Sequence, residues 1–448
     1  MRSVVLLLTL SAFVPVPSSI ASPQSAGAPG QTPPPGVTHV HAGRLFDATS
    51  DRLRQNVTIV VEGDRIARVV DGLVPAPDGA TLIDLSRATV LPGLWDLHTH
   101  VTGRADQYDP ILGFRQSPFV GAIHGVVNAR TLLEAGFTTI MDIGSAPFVA
   151  GDLRQAIDTG FIDGPRIIAS GPGISITGGH GDMNRYSPTV TNSLFPAQRD
   201  FQIADGVDQV RQTVRAQVKH GVDVIKILAT GGVLSKGTEP GAPQFTVDEL
   251  RAAAEEAHAA GLKITAHAHG AQGIRNAITA GIDIVQHVSL VDDEGIRLAR
   301  ERGAWFVMDI YNTEYLTGEA IKFGLEEENV EKERRVGQTQ RESFRRAHAA
   351  GVKMAFGTDS GVYPHGQNGR QFRVMVEYGM TPAEAILSAT TRAAEATGIS
   401  DRGTLEAGKL ADLIAVSGNP LDDVRQLEDV GFVMKGGRVV KNRLTTSR

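Results

Sequence analysis

The chain has 448 residues, with 44 Lys and Arg against 50 Asp and Glu and a formal charge of −6, which argues against a nucleic-acid partner or an anionic membrane surface. At 41% hydrophobic and 21% charged it is ordinary globular material, enough for one large domain and a small one, or for two to three domains. It contains no cysteine, so disulfides are excluded and any metal must be held by His, Asp, Glu or a modified Lys.

Arg2 precedes an apolar run over residues 4–14, too short to span a bilayer as a helix. Ser19-Ile20-Ala21 has the small-x-small form of a signal-peptidase site. Residues 1–21 therefore read as a signal peptide, which places the mature protein in the periplasm or outside the cell, with no membrane contact after cleavage. Residues 22–36, rich in Pro, Gly, Ser and Gln, read as a flexible linker.

Residues 37–90 read as short strands, with Gly63-Asp64 as a tight turn between two of them. The pair His39-Val40-His41 follows the linker and has no partner ligands in pattern, so it reads as surface or edge strand. Residues 403–448 have the same texture, with strands at Asp412-Leu-Ile-Ala-Val416 and around Gly436-Gly437. Each end alone is too small to bury a core. The two ends are expected to meet in one β-sandwich, with residues 91–402 inserted between them.

The inserted segment opens with Leu91-Pro-Gly-Leu-Trp-Asp-Leu-His-Thr-His100. Side chains two apart on a strand share a face, so His98 and His100 form a pincer suited to one metal ion. After it one phrase repeats: a helix ends at Gly, an apolar strand follows, and a polar residue closes the strand. Gly136, Gly221, Gly261, Gly281, Gly303 and Gly351 lead into strands closing on Asp142, Lys226, His267, His287, Asp309 and Asp359. Thr246-Val-Asp-Glu249 and Thr381-Pro-Ala-Glu384 are capping boxes that start helices. His258 and His348, near helix C-termini, read as structural. With strands at residues 94–100 and 166–170 the count reaches eight, which favours a (β/α)8 TIM barrel within the α/β class. Chemistry in such barrels sits at the C-terminal ends of the strands, and those ends here are polar.

Lys226 lies in Val222-Asp-Val-Ile-Lys-Ile-Leu228, a strand that should be buried. A buried ammonium costs several kcal/mol, and burial depresses a lysine's pKa. A neutral lysine can add carbon dioxide and become a carbamate, whose two oxygens can bridge two cations about 3.5–4 Å apart. His98, His100 and Asp359 would serve one cation, His267 and His287 the other, and the carbamate on Lys226 both. Water between two divalent cations is acidified to a pKa of about 7, which makes hydroxide available. Asp359 is placed to take a proton and pass it to a leaving nitrogen. Imidazole and oxygen donors point to zinc before manganese, cobalt or iron. His267-Ala-His269 puts two imidazoles on one face, and spacing does not choose between them.

His98-Thr-His100, Lys226, His267, His287 and Asp359 in this order resemble the amidohydrolase superfamily. More narrowly, the chain resembles its imidazolonepropionase-like branch, with Xaa-Pro dipeptidases, carboxypeptidases and ochratoxin-hydrolysing amidases. The motifs behind the narrower resemblance are Thr177-Gly-Gly-His-Gly-Asp182, Asp223-Val-Ile-Lys-Ile-Leu-Ala-Thr-Gly-Gly232, Ala266-His-Ala-His-Gly270, Gly357-Thr-Asp-Ser-Gly-Val-Tyr-Pro-His-Gly366 and Gly408-Lys-Leu-Ala-Asp-Leu413. The resemblance implies that His267 is the ligand with His269 beside it, that Lys226 carries the carbamate, and that His180 contacts substrate. It further implies a homo-oligomer and hydrolysis of the amide bond to a C-terminal amino acid in dipeptides or N-acyl amino acids, ochratoxin A included. Such a substrate has a free carboxylate, for which His180, His269 and Arg185 are candidates. Tyr311, Asn312 and His365, just past strand ends, are further candidates for substrate contact. The alternatives are a lactone, aryl ester or phosphotriester hydrolase on the same centre, or a non-catalytic binding protein that keeps the barrel.

Overall fold

The computed structural model describes residues 36–444, apart from 110, 118, 146–147, 188 and 192–197. The expected signal peptide and all but the last residue of the expected linker lie outside the described residues. Among the described residues no helix is long and apolar enough to cross a membrane.

The two ends of the chain do meet. Strands β1 (Val37–Leu45), β2 (Arg54–Glu62), β3 (Arg65–Asp71) and β4 (Thr81–Pro92) come from one end. Strands β13 (Leu413–Val416), β14 (Phe432–Lys435) and β15 (Arg438–Asn442) come from the other. They form one seven-stranded sheet in the order β15-β14-β13-β4-β1-β2-β3. Residues such as Val40, Ile59, Leu85, Leu413 and Phe432 pack into a single apolar cluster, so strands from both ends of the chain share one core. The tight turns are where the glycines predicted them: Gly63 has φ +61°, and Gly436 and Gly437 have φ +53° and +72°.

His39 and His41 depart from the sequence reading. Strand β1 is neither edge nor surface but central, paired with β4 on one side and β2 on the other. His39 is buried, and both rings turn toward the carbonyl of Val74, from which His41 Nε2 is 2.7 Å away. The residue pattern of a strand gives its faces but not its place in the sheet order, which is set here by β4 returning in parallel beside it.

The inserted segment is the expected barrel. Strands β5 (Leu94–Thr99), β6 (Phe137–Asp142) and β7 (Arg166–Ala169) form one parallel group. Strands β8 (Val224–Leu228), β9 (Lys263–Gly270), β10 (Ile284–Leu290), β11 (Trp305–Val307) and β12 (Lys353–Ala355) form another. Two seams close the ring. Ser170 bridges Val224 between β7 and β8. Beyond the three regular residues of β12, Leu97 N–H donates to Phe356 O at 2.9 Å and Asp359 N–H to His98 O at 2.8 Å. The Gly-led phrase has its physical basis in left-handed helix ends, with φ +97° at Gly136, +77° at Gly221, +95° at Gly281 and +70° at Gly303. Both predicted capping boxes are formed.

Trp95, Leu97, Met141, Val224, Ile284, Trp305 and Ala355 fill the barrel as one apolar cluster. Ile225 and Ile227 belong instead to the layer shared with the helices. By the two-residue period of a strand, Lys226 therefore follows Val224 on the inward face, one step nearer the C-terminal rim.

Candidate metal centre

Three local departures from regular strand aim side chains into the rim. The pairing of β5 with β6 slips between Asp96 and Thr99, so His98 faces inward although Leu97 already does. In β10, His287 and Val288 have φ +65° and +56°, and the pairing with β9 breaks there. Asp359 has φ +60°. A left-handed backbone is uncommon outside glycine, and for a β-branched residue such as Val288 it is an outlier. Such strain persists where surrounding structure enforces it, most often at functional sites. Here it sits on two of the six expected ligands.

The six converge. His98, His100, Lys226, His267, His287 and Asp359 line one cavity of about 210 Å³ at the C-terminal rim. His98 Nε2 and His100 Nε2 lie 3.2 and 2.9 Å from the same oxygen, Asp359 Oδ1. The ring centroids of His98 and His287 are 4.7 Å apart, and those of His267 and His287 4.4 Å. Among the described residues two groups offer ligand atoms all within 4.8 Å of one another: His98, His287 and Asp359, and His267, His269 and His287.

The hydrogen bonds leave specific lone pairs facing inward. His100 Nδ1 donates to Gly144 O at 3.1 Å, which frees Nε2. His287 Nδ1 donates to Asp309 Oδ1 at 2.9 Å, which also frees Nε2. His267 Nε2 donates to Gly231 O at 3.1 Å, which frees Nδ1. Metal-bound histidines are held by their second ring nitrogen in this way. Asp359 Oδ1 accepts no aligned hydrogen bond although two imidazole nitrogens stand beside it. A buried carboxylate oxygen and two ring nitrogens meeting without a donor between them fit a shared cation.

The electrostatics agree. Burial lowers the pKa of His98 and of His287 to about 3, and puts His267 and His269 well below the usual imidazole value. All four are neutral donors at pH 7. Burial also lowers Lys226 to about 7, so a substantial share is uncharged at neutral pH. Burial alone would raise Asp359, but His98 and His100 together outweigh it and hold the carboxyl well below its ordinary range.

A second ring of groups braces the first. Asp309 accepts from Gln340 Nε2 at 3.0 Å and from Asn312 Nδ2 at 2.6 Å as well as from His287. Asn312 Nδ2 also reaches Asp359 Oδ2 at 3.3 Å. Asp96 is fully buried below the rim and accepts from the backbone of His98 and Thr358, the Thr358 hydroxyl and Asn368.

The secondary candidates divide. His180 and His269 line the cavity, the His180 ring 4.3 Å from that of His267, and His269 Nδ1 is 2.7 Å from Ser289 Oγ. Tyr311 and His365 do not line it. The Tyr311 hydroxyl accepts from Arg370 at 2.8 Å and its ring packs on Tyr363, because the turn after β11 sends Asn312 inward instead. His365 is buried beside the backbone of His100 and Gly103. Arg185 is also outside the wall, its guanidinium 3.3 Å from the Glu326 carboxylate. Among the wall residues that the sequence reading does not find are two polar ones, Glu333 and Gln340. Both come from the helix Glu327–Ala349, and nothing in their spacing marks which helix face meets the barrel mouth.

A parallel barrel with neutral imidazoles, a buried lysine and a carboxylate at its C-terminal rim defines a metal-dependent hydrolase. The amidohydrolase family model matches residues 89–440. The chain belongs to the amidohydrolase family, metal-dependent hydrolases of C–N bonds, in the branch that includes imidazolonepropionases, Xaa-Pro dipeptidases and ochratoxinase. It is 33% identical to the ochratoxinase of Aspergillus niger over 423 residues, 90% of this chain and 87% of that protein. It is similar to the crystal structure of a Xaa-Pro dipeptidase with bound methionine in the active site, with a TM-score of 0.84 and 38% identity over 91% of this chain and 100% of that one. It is also similar to a prolidase complexed with N-methylphosphonate-L-proline, with a TM-score of 0.81 and 33% identity over 91% and 100% of the two chains.

Proposed function

We propose that this protein is an exported binuclear amidase. It cleaves the amide bond to a C-terminal amino acid in dipeptides or N-acyl amino acids, ochratoxin A among the latter. The observation that carries the reading is the convergence of His98, His100, Lys226, His267, His287 and Asp359 in one cavity, with the His100, His267 and His287 rings pinned so that one lone pair each faces inward. The similarity to a prolidase complexed with N-methylphosphonate-L-proline and to an ochratoxinase supports an amino-acid leaving group.

His98, His100 and Asp359 would hold one cation, and His267 and His287 the other. Lys226 in its neutral form would take up carbon dioxide, releasing a proton as the carbamate forms, and would then help to hold both cations. Zinc suits this donor set. When bound, the pair supplies an acidified water and polarises the scissile carbonyl. Asp359 accepts the proton at its carboxylate and returns it to the leaving nitrogen. Asn312 restrains the second oxygen of Asp359 through these transfers. With Arg185 engaged by Glu326, His180 and His269 are the two of the three carboxylate candidates that line the cavity. Export rests on residues 1–21, and assembly as a homo-oligomer on the branch to which the chain belongs.

The test is a screen of metal-replete protein against dipeptides, N-acyl amino acids, ochratoxin A, lactones, aryl esters and phosphotriesters. Release of a free C-terminal amino acid from the amides is the expected result. Turnover confined to the esters or phosphotriesters would replace this reading by its alternative.

A further inference from the structure

The wall of the cavity contains a carboxylate that the hydrolytic scheme does not use. Glu333, on the helix Glu327–Ala349, is 5% exposed and lines the same cavity as the metal-binding residues. Its neighbours along the wall include Val233, Leu234, Leu316 and Val336. One of its oxygens, Oε1, accepts from the Thr313 hydroxyl at 2.6 Å. Among the described residues no Lys, Arg or His pairs with it. Arg341, whose charge is felt at Glu333, is itself held by Ile310 O at 3.0 Å and by Glu314 at 3.2 Å.

A buried carboxylate without a cation is costly in either of its forms. Ionised, it lacks solvation and a partner; protonated, it has given up its charge. Burial raises Glu333 to about 7, with Asp309 and Asp359 adding repulsion, so it stands between the two states at neutral pH. The helix also gives something up to keep it there. A Cβ at Gly337, one turn on, would meet Thr313 Oγ1 at 2.3 Å and Glu333 Oε1 at 2.7 Å. Glycine inside a helix is less favourable than alanine, and here it makes room for the Thr313–Glu333 pair. A side chain kept at that expense, aimed into a substrate cavity and lacking a counter-charge, is a receptor for a cation that arrives with the ligand.

Building on the amidase reading, we infer that Glu333 receives a positively charged nitrogen of the substrate. This narrows the substrate class to peptides that carry a free α-amine or a basic side chain, in preference to neutral N-acyl amino acids. Thr313 fixes one carboxylate oxygen and leaves the other for the incoming ammonium or guanidinium. The two sources of that cation share one chemistry, and the experiment separates them.

Three compounds with the same type of scissile bond suffice: Ala-Phe, with a free α-amine; N-acetyl-Ala-Lys, with a basic side chain only; and N-acetyl-Ala-Phe, with neither. Metal-replete wild-type protein should hydrolyse at least one of the first two with kcat/KM tenfold or more above the third. Glu333→Gln should remove that preference, about 10–100-fold for loss of a charged hydrogen bond, and leave N-acetyl-Ala-Phe within about twofold. That unchanged rate shows that the variant is folded and loaded. Glu333→Asp should restore part of the preference. Equal rates on all three compounds in the wild type, or an undiminished preference in Glu333→Gln, overturns the inference. If none is cleaved, the amidase reading has failed by itself. The same compounds, then stable ligands, go to calorimetry with the same protein: tighter binding of a cationic one, lost in Glu333→Gln, upholds the role of Glu333, and equal binding refutes it.

Discussion

The ring of His180 lies directly on the α-carbon of Gly232. A Cβ built at Gly232 would stand 2.2 Å from His180 Cε1 and 2.4 Å from Nδ1. The two residues come from loops after consecutive strands, β7 and β8, and each fixes the other at the cavity wall. Gly232→Ala should therefore push the imidazole away from His267 without touching a metal-binding residue. Displacement by about 1 Å in an active site can cost about 100-fold in rate. We expect kcat/KM to fall about 10–100-fold, with metal content unchanged by elemental analysis. An alanine variant as active as the parent would remove His180 from the working site.

Metal extraction is the second measurement. Dialysis against a chelator should abolish hydrolysis, and zinc should restore it. The metal-free protein should also melt earlier, since a ligand present at about 1,000 times its dissociation constant stabilises by about 4 kcal/mol. Full activity in protein shown to be free of metal contradicts the mechanism.

Lys226 allows a sharper chemical test. Lys226→Ala removes the group that would link the two cations, so bound metal should fall from two per chain toward one and activity should drop at least about 100-fold, the scale of losing a key transition-state contact. Formate or acetate should restore part of both, because a small carboxylate can occupy the space of the carbamate. Normal turnover in Lys226→Ala, indifferent to added acid, would falsify the carbamate.

Asp96 has a purely structural expectation. It receives four hydrogen bonds in a fully buried setting, two of them from Thr358, which precedes Asp359. Asp96→Ala strands those donors, at about 1–3 kcal/mol for each buried group left unpaired. A loss of about 3 kcal/mol or more in denaturant unfolding is expected, together with weaker metal retention. A loss under about 1 kcal/mol would show that water replaces the carboxylate there.

Much of this centre is legible in the chain because it obeys short-range rules. The two-residue period of a strand puts His98 and His100 on one face and Lys226 inside the ring, and glycines at helix ends mark where six of the eight strands begin. What escapes is governed by packing between distant segments. Tyr311 and Asn312 are adjacent, and only the turn after β11 decides that the amide enters the cavity and the phenol leaves it. Glu333 lies on a 23-residue helix whose seating against the barrel mouth chooses the face that turns inward. His39 and His41 look peripheral until β4 closes over their strand. Spacing does not separate His267 from His269, because both imidazoles reach the same space as His287.

Strand β4 lies between β1, made three strands earlier, and β13, made after the whole barrel, with Pro92 facing Leu413 across the second pairing. At a ribosomal rate of about 5–20 residues per second, roughly 15–65 s separate the emergence of these two neighbours. Throughout that interval the nascent chain presents a bare apolar edge, an invitation to mispairing. A polypeptide released soon after the barrel would own every metal-binding side chain and still be vulnerable to aggregation, because strands made after the barrel are the clasp on strands made before it.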